Sequence, residues 1–187
     1  MNTTANQITV LRIILIPIFL LFEYMGKPYI AFAIFIIASL TDLLDGYIAR
    51  KYNQITVFGK FMDPLADKML VLAAMCYLIE AGIMPGWTVA LVLFREFAVS
   101  GLRLVAAEQN IVIAAAQSGK VKTACTMVCL CFLLFFLNRT PLWMNLTCTV
   151  LIVATTLWSG FEYFQKNFRV LTTGKDSSEK QNDRSLK

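Results

Sequence analysis

Six apolar runs constrain the fold of this chain more than any other feature of its sequence. Each is close to the roughly 20 residues that an α-helix needs to cross a hydrocarbon layer of about 30 Å. The runs cover residues 8–25, 29–49, 64–82, 87–107, 121–138 and 142–164. Because 58% of the 187 residues are hydrophobic, too little polar sequence remains to cover a soluble globule. The sequence therefore predicts an all-α integral membrane protein, built as a bundle of six transmembrane helices.

The two ends of the chain differ in character. The first run could be read as a cleaved signal peptide, but its basic start is weak and no small-residue cleavage site follows Phe22. At the other end, residues 166–187 are polar, mixed in charge and unable to build a core. We therefore expect a six-helix membrane domain over residues 1–165 and a disordered cytoplasmic tail over residues 166–187.

The distribution of positive charge predicts the orientation of these helices. When the loops are assigned alternately to the two sides of the membrane, only Lys27 and Arg139 fall on one side. The basic residues of the other side are Arg12, Arg50, Lys51, Lys60, Lys68, Arg103, Lys120, Lys122, Lys166, Arg169, Lys175, Lys180, Arg184 and Lys187. Since basic loops stay in the cytoplasm, both termini should be cytoplasmic. This topology accounts for the net charge of +5, so no nucleic-acid partner is expected.

Four aspartates lie near the ends of the second and third runs, where a membrane protein can least tolerate unpaired charge. Asp42 and Asp45 are three residues apart, and Asp63 and Asp67 are four apart, so on helices each pair shares a face. Facing pairs would form an oxygen-rich cage, which suits hard divalent cations such as magnesium or manganese. The pattern predicts a metal site that also takes substrate phosphate, at the cytoplasmic edge of the bilayer.

Histidine and cysteine narrow the chemistry further. The chain has no histidine, which excludes the usual proton carrier near neutral pH and any histidine-based zinc site. Its five cysteines all fall inside predicted spans and form no C-x2-C pair, so they are interpreted as packing residues. A carboxylate is the expected base.

The aspartates belong to a longer pattern, D-x2-D-G-x2-A-R-x8-G-x3-D-x3-D. Its fixed positions are filled here by Asp42, Asp45, Gly46, Ala49, Arg50, Gly59, Asp63 and Asp67. This spacing resembles the signature of the CDP-alcohol phosphotransferase family at every fixed position. The resemblance implies a six-helix membrane enzyme, usually a homodimer, that transfers a phosphate-linked group from a CDP-activated molecule to an alcohol.

The same resemblance assigns roles to the acidic residues. It implies that Asp42, Asp45 and Asp63 hold two divalent cations, magnesium or manganese, with Asp63 as the bridge. Asp67 resembles the catalytic base of the family and completes the metal-binding set.

The remaining motif residues are expected to line a CDP pocket. Gly46, Ala49 and Gly59 lack bulk, which lets a nucleotide lie against the backbone, although close packing of helices would also explain the glycines. Arg50 can donate paired hydrogen bonds to phosphate oxygens. Asn6, in an N-x-x-T element with Thr9, resembles a nucleotide contact of the family, with ordinary helix capping as the alternative.

Four cations beyond the motif predict the nature of the acceptor. Arg95, Arg103, Lys120 and Lys122 lie within or at the ends of apolar runs, and an arginine inside a membrane usually faces a site or a partner. Adjacent helical residues do not face each other, so Glu96 is not expected to pair with Arg95. Structural pairing with another acid, or simple anchoring at the positive side, remains an alternative. Otherwise these residues bind an acceptor that carries phosphate.

Within the family, R-E-x6-R ahead of G-K-x-K-T resembles the members whose donor is CDP-diacylglycerol and whose acceptor is sn-glycerol 3-phosphate. The resemblance implies a product of phosphatidylglycerophosphate and CMP, and a location in the bacterial plasma membrane. Alternatives within the family use inositol phosphate or phosphatidylglycerol as acceptor. Alternatives outside it are a cation transporter and a prenyltransferase. Transporters place their acids near the midplane, often in repeated halves, and prenyltransferases separate their aspartate motifs more widely.

Overall fold

Helices account for almost all of the structure, a computed structural model. Its described backbone covers residues 4–51, 57–108, 116–137 and 139–185, with described side chains at 8–41, 62, 65–107, 116–137 and 139–167. Within this described part there are six α-helices and no strand. They are α1 (Thr4–Tyr24), α2 (Pro28–Lys51), α3 (Val57–Glu80), α4 (Trp87–Glu108), α5 (Gln117–Phe135) and α6 (Leu142–Ser185). The predicted all-α class is confirmed, and each apolar run lies largely within one helix.

Among the starts of the helices, the start of α3 lies farthest from its predicted position. It begins at Val57, ahead of the run that starts at residue 64, because Phe58, Phe61 and Leu65 extend the apolar helical spacing backwards through Gly59. Pro64 is consequently an interior residue of α3 and does not begin it. The aspartates at 63 and 67 therefore lie on one uninterrupted helix.

The last helix extends past the predicted membrane domain. It is continuous to Ser185 and so includes most of the polar segment that follows residue 165. Its composition still distinguishes this segment from the apolar part of α6, and the division into a membrane domain and a disordered tail stays a prediction.

Two helices have the length and composition to cross a bilayer when only the described side chains are considered. They are Gln117–Phe135 and Leu142–Asn167, and the shorter segment Pro28–Thr41 is also apolar. This agrees with the expected membrane setting.

The chain divides into two compact units. The first consists of Met1–Gly86 and Met127–Cys148, and the second of Trp87–Thr126 and Thr149–Lys187. The predicted aspartate site belongs to the first unit. All four predicted acceptor cations belong to the second.

In the first unit, α1 packs against both α2 and α3. Phe19 and Phe35 are fully buried, and their ring centroids are 5.7 Å apart. At the end of α1, the Tyr24 hydroxyl donates to the Glu80 carboxylate of α3, and the Tyr24 ring meets Tyr77 edge-on at 5.9 Å. These contacts fix the ends of α1 and α3 relative to each other. They lie at the opposite end of α3 from the aspartates.

In the second unit, the core joins α4 to α6. Val99 and Leu102 of α4 pack with Tyr163 of α6, and all three side chains are buried. Ala116 and Phe164 cover this cluster. The core therefore holds α4 and α6 together along the segment that carries Arg95 and Arg103.

Two helices end with the same hydrogen-bonded cap. In α1, the Lys27 amide donates to the Phe22 carbonyl and the Gly26 amide to the Glu23 carbonyl, both at 3.0 Å. In α3, the Ile83 amide donates to the Leu78 carbonyl and the Gly82 amide to the Ile79 carbonyl. The glycines have φ of 69° and 72°, so both ends are Schellman motifs, which require a left-handed residue at this position.

We expect Gly82→Ala to lower the free energy of unfolding by about 1 kcal/mol, because an L-residue is strained in the left-handed region. A Cβ at this position would meet no atom within 4 Å, so the loss would come from the backbone alone. Denaturant unfolding in detergent micelles measures it.

The matched control is Gly101→Ala, inside α4, where an added Cβ also meets nothing within 4 Å. This substitution should leave stability unchanged or raise it, since alanine is the better helix former. Equal losses in the two variants would contradict the role given to the cap.

Candidate functional site

The four motif aspartates lie on two contacting helices of the first unit. Asp42 and Asp45 are in α2, Asp63 and Asp67 are in α3, and α2 and α3 contact each other. Each pair has the helical spacing that places its members on a common face. The side chains of Asp42, Asp45 and Asp63 are outside the described residues, and that of Asp67 is half-buried. The convergence of all four carboxylates stays a prediction.

The donor set of this segment fits a hard divalent cation by its chemistry. Carboxylates from two contacting helices supply only oxygen, the ligand that magnesium and manganese prefer. Among the side chains that the structure describes, no three of histidine, cysteine, aspartate and glutamate lie together as a metal-binding group. Three of the four motif aspartates are not among those side chains.

The residues predicted for the CDP pocket have described backbones but not described side chains. Gly46, Ala49 and Arg50 lie in the final turns of α2, and Gly59 lies in the first turn of α3. Asn6 lies within α1, which begins at Thr4. Their predicted contacts with nucleotide fall outside the described residues.

Arg95 is the centre of a polar cluster in the second unit. Its Nη1 donates to Oε1 of Glu96 at 2.9 Å, and its Nη2 donates to the hydroxyl of Ser159 in α6. Pairing with Glu96 was not expected for adjacent residues of one helix, and that expectation is wrong. The rule that adjacent helical residues do not face each other describes the directions of their Cβ atoms. The long side chains of Arg95 and Glu96 bend toward each other beyond Cβ.

Two glycines make room for this arginine. A Cβ on Gly160 of α6 would lie 3.3 Å from Arg95 Cγ, and one on Gly119 of α5 would lie 3.5 Å from its Nη2. The first distance is tighter than ordinary van der Waals contact. Arg95 of α4 thus lies against the backbones of α5 and α6, and small residues at these positions admit its side chain.

Lys122 joins the same cluster from α5. Its Nζ donates to Oε1 of Glu96 at 2.9 Å, the oxygen that also accepts from Arg95. Lys122 is buried, so the ion pair is shielded from solvent. The structure therefore brings Arg95 and Lys122, two of the four predicted acceptor cations, to one carboxylate oxygen.

Arg103 is held by a different contact with α6. Its Nε donates to the Tyr163 hydroxyl at 2.9 Å, and its guanidinium carbon lies 5.5 Å from the centroid of the Tyr163 ring. The tyrosine is buried, whereas the arginine is exposed. Tyr163 follows Ser159 by one helical turn, so one face of α6 contacts both arginines of α4.

Lys120 lies apart from this cluster. It is exposed on α5, two residues before the buried Lys122, and residues with that spacing point to different sides of a helix. The helix start also differs from expectation, because α5 begins at Gln117 and the Gly119 amide donates to the Ala116 carbonyl at 3.1 Å. That amide already has an acceptor within the chain.

Reasoning from the sequence missed three residues of this site, Ser159, Gly160 and Tyr163, and rejected a fourth, Glu96. A usable signal was present in the last apolar run. Small residues inside a transmembrane run mark close helix packing, and Ser159-Gly160 followed one turn later by Tyr163 places a polar face on α6. For Glu96, the signal was an acid beside an arginine in the middle of an apolar helix.

Comparison with known proteins indicates the same family as the motif. Residues 2–158 match the model of the family described as CDP-alcohol phosphatidyltransferase. The chain is 43% identical to the CDP-diacylglycerol--glycerol-3-phosphate 3-phosphatidyltransferase of Bacillus subtilis, over 92% of this chain and 99% of that protein. It is 38% identical to the Escherichia coli protein of the same name, over 83% of this chain and 90% of that protein. Since the family match covers most of the sequence and both relatives align along nearly their whole length, the chain belongs to the CDP-alcohol phosphatidyltransferase family.

Proposed function

We propose that this protein transfers the phosphatidyl group of CDP-diacylglycerol to sn-glycerol 3-phosphate, giving phosphatidylglycerophosphate and CMP. The observation that carries the proposal is the similarity, along nearly the whole chain, to relatives named for this reaction. The motif residues from Asp42 to Asp67 support the transferase chemistry, since all eight fixed positions are present. The reaction belongs to phospholipid biosynthesis.

The polar cluster of the second unit supports an anionic acceptor. Arg95 and Lys122 share the single carboxylate of Glu96, which leaves this group with an excess of positive charge. Arg103, one α6 turn further along, adds another cation. A neutral acceptor such as serine would give no reason to bury both Arg95 and Lys122 beside one carboxylate, because burial of an ion is costly without a compensating partner.

Two divalent cations, magnesium or manganese, are part of the proposal. Asp42, Asp45, Asp63 and Asp67 would hold them, and the helical spacing and the contact between α2 and α3 support this set. When bound, such ions would neutralise the charge of the CDP-diacylglycerol pyrophosphate and the charge that develops on the leaving CMP.

The chemistry assigned to the side chains is a single displacement at phosphorus. Asp67 accepts the proton of the sn-1 hydroxyl of glycerol 3-phosphate as that oxygen attacks. The bond from the hydroxyl oxygen to the phosphorus of the diacylglycerol phosphate forms, and the bond from that phosphorus to the CMP oxygen breaks. Arg95, Arg103 and Lys122 hold the acceptor by its phosphate, so their contribution is orientation. Lys120 stays a candidate for the same role from the sequence, although its side chain is exposed on a different side of α5 from Lys122.

The donor pocket is proposed along the motif. Gly46, Ala49 and Gly59 would allow the cytidine nucleotide to approach the helix backbone. Arg50 would donate to phosphate oxygens, and Asn6 would contact the nucleotide from α1.

We further propose that the six helices all span the membrane, with both termini and the active site on the cytoplasmic side. The apolar runs and the one-sided distribution of basic residues support this topology. The relatives named above are bacterial, which favours the plasma membrane as the location. By its likeness to the family, the protein would act as a homodimer.

The test of function is release of CMP by the purified protein supplied with CDP-diacylglycerol and magnesium. We expect release with glycerol 3-phosphate and none above background with serine. A preference for inositol phosphate or phosphatidylglycerol would move the protein to another branch of the family.

Chelation provides the matching metal test. We expect EDTA to abolish CMP release and magnesium or manganese to restore it, since the proposed site takes its cations from solution. Turnover that survives thorough chelation would remove the two-metal proposal, and metal-dependent ion flux without any CMP release would favour a transporter.

Asp67→Asn should lower turnover by a factor of roughly 10²–10⁴, the usual contribution of a general base. Metal-dependent binding of CDP-diacylglycerol should be largely retained, because the amide keeps the size of the side chain and three aspartates remain. Asp176→Asn, the same change in the polar tail, is the control and should have wild-type activity. Loss of donor binding with normal residual turnover would contradict the assignment of the base.

Arg103→Ala and Lys120→Ala should each raise the KM for glycerol 3-phosphate by about tenfold, the worth of one hydrogen bond to a charged group. The KM for CDP-diacylglycerol should not change. Lys166→Ala is the matched control, because this exposed lysine pairs with Glu162 on the surface of α6. A change confined to the KM for CDP-diacylglycerol would assign these cations to the donor pocket instead.

A further inference from the structure

One carboxylate oxygen connects the two most buried cations of the second unit. Glu96 Oε1 accepts from Arg95 Nη1 and from Lys122 Nζ, each at 2.9 Å. The exposed fractions of the three side chains are 12% for Arg95, 6% for Lys122 and 20% for Glu96. Two long, flexible cations, Arg95 from α4 and Lys122 from α5, thus converge on one carboxylate oxygen of α4.

The electrostatics of this arrangement depend on the acid. Both nitrogens lie within hydrogen-bond distance of the same atom, so they are close to each other, and like charges repel strongly where water is scarce. The carboxylate offsets that repulsion. Without it, the lysine would leave for solvent or lose its charge, because an uncompensated buried charge is strongly destabilising.

Arg95 and Lys122 have N–H donors that Glu96 does not use and that are available to a ligand. An arginine carries five N–H donors and a lysine three, and Glu96 Oε1 takes one from each. Arg95 Nε is buried and has no hydrogen-bond acceptor among the described residues. A buried donor without an acceptor is costly, and an anion bound beside the cluster would satisfy it.

We propose that Glu96 is a positioning residue for the acceptor phosphate. It holds Arg95 and Lys122 at a fixed spacing, and the acceptor phosphate binds to the donors that Glu96 does not use. Ser159 fixes the other side of the guanidinium, so the lysine depends on the carboxylate more than the arginine does. This inference rests on the proposed function, in which these cations bind glycerol 3-phosphate.

The test compares Glu96→Gln, Glu96→Asp and wild type in steady-state assays with both substrates varied. Glu96→Gln should raise the KM for glycerol 3-phosphate roughly ten- to a hundredfold, because a charged hydrogen-bond network loses its centre. The KM for CDP-diacylglycerol should stay within about twofold. Glu96→Asp keeps the charge and should show a smaller rise.

Glu162→Gln is the matched control. Glu162 is another glutamate of the second unit that pairs with a lysine, but its partner Lys166 is mostly exposed, and exposed pairs contribute little. This variant should have wild-type values of both KM. A rise equal to that of Glu96→Gln would overturn the proposal.

A double variant shows whether Glu96 acts through the lysine. Lys122→Gln with Glu96→Gln should have a KM for glycerol 3-phosphate no higher than Lys122→Gln alone, because the acid then has no lysine to position. It also removes the unpaired buried lysine, which keeps the test available if Glu96→Gln folds poorly. Additive effects of the two substitutions would overturn the inference.

Other outcomes separate this inference from the proposed function. A lower kcat and thermal midpoint with both KM values unchanged would make Glu96 purely structural, and a lower KM for glycerol 3-phosphate would show that it repels the acceptor. Either result rejects the inference while the function stands. If wild-type protein uses another phosphorylated acceptor, the proposed acceptor is wrong, and the same variants measured with that acceptor still decide the role of Glu96.

Discussion

Charge surrounded by apolar helices is stable only when a partner of opposite sign lies within contact distance, and this constraint organises both halves of the molecule. In the second unit it is met within the chain, where Glu96 neutralises part of the charge of Arg95 and Lys122. In the first unit, α2 and α3 carry the four motif aspartates. Cations from outside the protein are the proposed partners there. The same physical requirement thus accounts for the internal ion pair at one site and for the metal ions that we propose at the other.

The elements of the fold were largely predictable, because apolar runs of membrane length leave few alternatives to helices. Each run lies largely within one helix, and the four motif aspartates lie on the helices α2 and α3, as their spacing requires. The errors lie at the ends of the elements. The third apolar run was predicted to start at residue 64, yet α3 begins at Val57 and includes Gly59. The low helix propensity of a single glycine is not enough to end this helix.

The site was only partly predictable, since its key contacts join residues distant in sequence. Arg95 and Lys122 were selected for their charge, but the partners that orient them lie on another helix or were rejected by a local rule. Contact between Arg95 and Ser159 connects residues 64 positions apart, and no spacing pattern encodes such a distance. The pair of Arg95 and Glu96 failed for a different reason, because the rule for adjacent residues concerns Cβ directions and ignores the reach of long side chains.

The contacts of α6 with the two arginines impose a strict phase on that helix. Ser159 and Tyr163 are one turn apart and each holds a different arginine of α4. Insertion or deletion of one residue earlier in α6 would rotate both by about 100°, releasing the two guanidinium groups together. Descendants of this sequence can therefore lengthen α6 beyond Tyr163 freely, as its continuation to Ser185 illustrates, while its length before Ser159 is expected to change only by amounts that restore the original angle.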